Sequence, residues 1–143
     1  MYQYKCIILN VIDGDSVKVD IDVGFNIWVK NLSIRLIGLD TPALKADNPT
    51  DKAYGQLCRT VVQKMLPIGS TQVIKTTIED KYGRILGDFL FENDTLCTML
   101  LREGYAVPYK GQNKAVIADL HECNKQRLIA ENKLLVTSTV PVV

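Results

Sequence analysis

The sequence predicts an α+β fold in which five short antiparallel strands close a small Greek-key barrel with three helices packed around it. Two observations carry this. β-type patterning fills residues 4–39 as three stretches, and two more such stretches follow a single intervening helix. Two further helical stretches come last, so the order is three strands, helix, two strands, helix, helix.

The elements follow in order. Residues 4–11 are rich in Ile, Val and Tyr, and Asp13-Gly14 supplies a turn. Residues 16–23 then alternate, with Val17, Val19, Ile21 and Val23 set against Lys18, Asp20 and Asp22, the period of a half-buried strand. Gly24 breaks this strand, and the β pattern resumes over 27–39 with a bulge or bend expected at Gly38. Asn48-Pro49-Thr50-Asp51 reads as a helix start: a capping residue, proline at the first helical position, an acid at the third. Ala53, Leu57, Val61 and Met65 recur every four residues, carrying the helix to Leu66 before Pro67 and Gly69 end it. Strands are expected over 71–78 and 84–91, joined by the turn Asp80-Lys81-Tyr82-Gly83. A short helix over 95–103 stops at Gly104, and a last one over 114–133 carries Ile117, Leu120, Leu128 and Leu134 on an imperfect stripe. Residues 1–135 form one domain, and the uncharged 136–143 is read as a tail.

Composition excludes several classes. With 47% hydrophobic and 23% charged residues among 143, the chain is neither disordered, collagenous nor coiled coil. Its apolar runs are too short for a membrane span, so no membrane partner is expected, and a monomer is. The first residues lack the charged-then-apolar layout of a secretory signal, which points to an intracellular, cytoplasmic setting. Cys6, Cys58, Cys97 and Cys123 have no metal-type spacing and read as buried or half-buried free thiols. A net charge of +1 gives no global field for polyanions, so any nucleic acid must be held by a local cluster.

Three places could carry chemistry. Asp13-Gly14-Asp15-Ser16 and Asp40-Thr41-Pro42 are acidic clusters at strand ends, and each taken alone is equally well an ordinary turn. Arg35 is harder to dismiss: mid-strand, in the same parity as Ile37 and Leu39, it needs an anionic partner or ligand. Arg84, after a turn, reads on its own as a solvated residue. The lone His121 on the last helix is read as a surface histidine without a role.

The segments Ile12-Asp-Gly-Asp-Ser-Val17, Ile34-Arg-Leu-Ile-Gly-Leu-Asp-Thr-Pro42 and Asp80-Lys-Tyr-Gly-Arg84 resemble, in order and interval, three signature segments of the staphylococcal nuclease (thermonuclease) family. The similarity spans residues 4–131, and residues 22–35 together with the loop before the first helix look more like intracellular or phage-encoded members. The resemblance implies an OB-fold barrel with three helices and a calcium-dependent nuclease that hydrolyses phosphodiester bonds of DNA, RNA or both. By that resemblance Asp15, Asp40 and the Thr41 carbonyl would ligate Ca2+, with Asp13 supporting its water shell. Arg35 and Arg84 would grip the scissile phosphate, while Lys81, Tyr82 and Tyr109 match nucleotide-contacting positions.

One position departs from the pattern. The family motif continues Asp-Thr-Pro-Glu, that glutamate serving as general base or water orienter, whereas here Ala43 follows Pro42. Asp47 and Asp51 are the nearest downstream carboxylates; Asp51 is assigned to the helix cap and Asp47 is the one that could stand in. Three explanations compete: an engineered substitution, a natural loss leaving a binding module for nucleic acid or protein, and a different base. Retention of Asp15, Asp40, Arg35 and Arg84 together favours the first.

Overall fold

The structure, a computed structural model, describes residues 2–79 and 84–135. The Asp13-Gly14 signal does make a hairpin: β1 (Tyr2–Asp13) and β2 (Ser16–Asp22) are joined through Gly14 and Asp15, with Asp13 opposite Ser16. β3 (Trp28–Leu36) returns along β2, and β4 (Leu39–Asp40) follows the bend at Gly38. Helix α1 (Pro49–Met65) is capped by Asn48, whose side chain accepts from the amides of Thr50 and Asp51. β5 (Thr71–Glu79) and β6 (Ile85–Leu90) pair antiparallel. α2 (Leu96–Glu103), β7 (Val107–Pro108) and α3 (Lys114–Ala130) complete the chain. The 80–83 turn and the 136–143 tail lie outside the described residues.

The barrel closes in the order β1-β2-β3-β6-β5 and back to β1. Its strands are not all antiparallel, as the sequence reading had them: β3 and β6 run parallel, with Ile34, Arg35 and Leu36 opposite Ile85, Leu86 and Gly87. Closure makes this unavoidable. Directions cannot alternate all the way around a ring of odd number, so five strands must leave at least one parallel seam.

The barrel core is a cluster that includes Ile8, Val19, Ile34, Leu36, Ile74 and Phe89, all essentially inaccessible, and a second, smaller cluster joins Tyr54 and Cys58 of α1 to Leu128 and Leu134. Side chains of this size contribute about 1.5–3 kcal/mol each on burial. Two predicted faces are displaced by one residue. On α1 the fully buried row is Tyr54, Cys58 and Val62, while Ala53, Leu57, Val61 and Met65 flank it, because the helix is wedged between barrel and α3 and buries an adjacent row. On β3 the core face carries Ile34 and Leu36, so Arg35 points to the other side. Val23, expected inside, is exposed because β2 ends at Asp22. Cys6, Cys58 and Cys97 are buried free thiols, Cys6 pushed up to about 11 by burial; Cys123 is exposed.

Candidate active site

Backbone contacts lock the β1–β2 turn. The Asp13 carboxylate accepts the Asp15 amide at 3.1 Å, and the Asp15 carbonyl accepts the Leu36 amide at 2.8 Å. Asp15 Oδ2 then accepts the amide of Thr41 at 3.2 Å, fastening the turn to the end of β4. A side chain at position 14 would meet Thr41 at 2.9 Å, so glycine is what lets the two acidic segments lie this close. β4 is held in turn by β7: Asp40 pairs with Val107, and the Tyr109 amide donates to the Gly38 carbonyl at 2.9 Å.

Arg35 joins the two acids. Its Nη1 lies 2.9 Å from Asp15 Oδ2 and its Nη2 3.6 Å from Asp40 Oδ1, with Nη2 also donating to the Leu39 carbonyl at 3.0 Å. Only 14% of the Arg35 side chain is exposed, which explains why it is paired so fully although it stands off the barrel core. Burial, reinforced by the neighbouring Asp15, pushes the Asp13 carboxyl up to about 6.

These groups open onto a cleft of about 1060 Å³ whose walls include Arg35, Arg84, Asp40, Ala43 and Tyr109. The structure thus brings Asp15, Asp40, Thr41, Arg35, Arg84 and Tyr109 to one place, while Lys81 and Tyr82 lie outside the described residues. Ala43 is exposed and also borders a smaller neighbouring cavity formed with Asp51, Tyr54, Glu122 and Lys125. Asp47 is exposed and forms no part of either wall. Asp51 binds Lys125 Nζ at 2.5 Å rather than facing the cleft.

One residue overturns its sequence reading. His121 is not a surface histidine: its side chain is 15% exposed, its Nε2 lies 2.8 Å from Asp40 Oδ2, and its ring meets Tyr54 edge-on. Because α3 spreads its apolar residues around the helix, no sequence periodicity marks the face on which His121 lies.

The donor set can be tested against a metal. Among the described residues no three His, Cys, Asp or Glu side chains stand close enough to form a cage. Buried Asp15 and half-buried Asp40, drawn together by Arg35, nevertheless offer hard oxygen donors of the kind that fit a hard cation keeping several waters.

Residues 33–132 match the family model described as staphylococcal nuclease homologue. The chain belongs to the staphylococcal nuclease family. No match was found among curated proteins. Members of the staphylococcal nuclease family are nucleases that typically use metal ions and act on nucleic acid. The matched region begins at Ser33, so Asp13 and Asp15 precede it and join the site only through the fold. Among the described residues no helix is long and apolar enough to cross a membrane.

Proposed function

We propose that this domain is a calcium-dependent phosphodiesterase of DNA, RNA or both, impaired by alanine at position 43. The observation that carries the reading is Arg35 spanning Asp15 and Asp40 at the wall of a cleft that Arg84 also lines. Asp15, Asp40 and the Thr41 carbonyl are the residues that would hold calcium, with Asp13 beside them for its water shell. The chemistry such an ion supplies is Lewis acidity toward a phosphoryl oxygen. Arg35 and Arg84 offset the charge that gathers on the phosphate during attack by water, and Tyr109, with Lys81 and Tyr82, contacts the nucleotide. The methyl group of Ala43 accepts no proton and orients no water, so turnover is slow while binding persists.

The test restores the base. Ala43→Glu should raise cleavage of single-stranded DNA and RNA in calcium by roughly 10²–10⁴-fold, the usual contribution of general-base catalysis, and chelator should abolish it. A revertant as inert as the parent would turn the reading toward a binding module that keeps the cleft without the reaction.

A further inference from the structure

The cleft contains a group that neither the metal nor the phosphate reading uses. His121 reaches from α3 to the carboxylate of Asp40, Nε2 to Oδ2 at 2.8 Å, and among the described residues this is the one hydrogen bond that carboxylate receives. Arg35 faces the other oxygen, Oδ1, at 3.6 Å, an ion-pair distance too long for a hydrogen bond. An ionised carboxylate only accepts, so Nε2 carries the proton and Nδ1 is the second ring nitrogen. That Nδ1 is buried and has no partner among the described residues. An unmet polar atom in the interior costs free energy, and packing alone would be better served by an apolar ring. The imidazole therefore stands where it does on account of its other nitrogen.

We infer that His121 is the positioning residue for Asp40, holding its carboxylate by the Nε2–Oδ2 hydrogen bond in the orientation that binds the cation. The constraint is needed because β4 is two residues long, and its partner β7 is equally short. Such a strand fixes the Asp40 backbone but leaves the side chain free to rotate. α3 fixes the imidazole through its own packing, with the Tyr54 ring 6.1 Å away and the Tyr54 hydroxyl tied to the Gly104 carbonyl at 3.0 Å. Hydrogen-bond partners of metal-binding side chains commonly account for 10–100-fold in metal affinity. The inference rests on the cation site proposed above, and its test separates the two.

Calcium alone is titrated calorimetrically into the parent, His121→Asn, His121→Gln and Asp40→Ala. Glutamine places an amide donor close to where Nε2 stands; asparagine is polar and of similar tolerance but too short to reach Asp40. The expected result is a roughly tenfold or greater loss of calcium affinity in His121→Asn, with most of it recovered in His121→Gln. Parent-like affinity in His121→Asn, or equal losses in both histidine variants, would overturn the positioning role while leaving the site reading intact. Unchanged affinity in Asp40→Ala would show that Asp40 is no ligand, which overturns the cation site itself and the role of His121 with it.

Discussion

Two clusters flank Ala43, and each sets one buried cationic side chain between two carboxylates. Lys125, 10% exposed, pairs with Asp51 at 2.5 Å and Glu122 at 2.7 Å; Arg35, 14% exposed, pairs with Asp15 and Asp40. The difference lies in the acids. Asp51 and Glu122 are about half exposed, at 46% and 55%, so water screens their excess charge and the triad simply pins α3 to α1. Asp15 is 13% exposed and Asp40 30%, with half-buried Asp13 beside them, so water screens their charge less. The same ingredients thus make a closed structural pin in one place and, under the function proposed above, the cation site in the other. Burial of the carboxylates decides which.

Removing each cation should separate the two clusters most sharply. Arg35→Ala leaves buried Asp15 without its partner and should cost about 3 kcal/mol or more in chelator, less in saturating calcium. Urea unfolding under the two conditions measures this, and a deficit indifferent to calcium would erase the distinction drawn above. Gly55→Ala tests the wall that both clusters share, since its new methyl would lie 2.2 Å from the Ala43 carbonyl oxygen. The strain should cost about 1–3 kcal/mol. Because Ala43 follows Thr41 so closely, the calcium-induced rise in Tm should shrink as well. Lys125→Met should cost only about 1 kcal/mol, equally with and without calcium, because its partners are solvated. Asp47→Asn should change stability by less than about 0.5 kcal/mol and cleavage not at all; slower cleavage would make Asp47 the replacement base.

Local signals were the legible ones. Asp13-Gly14, Asn48-Pro49 and Gly104 each end or begin an element where the residue chemistry says they should, and the helix caps agree with it. The acids and arginines of the cleft were legible as motifs, though not how they meet. Arg35 was assigned to the wrong face because Gly38, at φ 73°, breaks the alternation that Ile37 and Leu39 appeared to continue. β4 and β7 left no trace in the pattern, since a two-residue strand exists only through its partner. His121 was missed for a related reason: the rotation of α3 is set by Leu128 docking in the cluster with Tyr54 and Cys58, which Leu134 joins from just beyond the helix, a tertiary fact. The parallel pair needed no residue signal at all, only the counting of strands in a closed ring.

That seam bears on how the cleft behaves. Arg35 lies on β3, and Arg84 immediately precedes β6, so the two arginines stand on opposite banks of the barrel's short parallel junction. The junction spans three registered pairs, extended by one bond from the Ile37 amide to the Gly87 carbonyl. The phosphate proposed above, shared between the two arginines, would act as a clasp across the thinnest join of the barrel. Ligand binding and barrel breathing become one equilibrium, and the amides from Ile85 to Gly87 should exchange with solvent more slowly once the clasp is fastened.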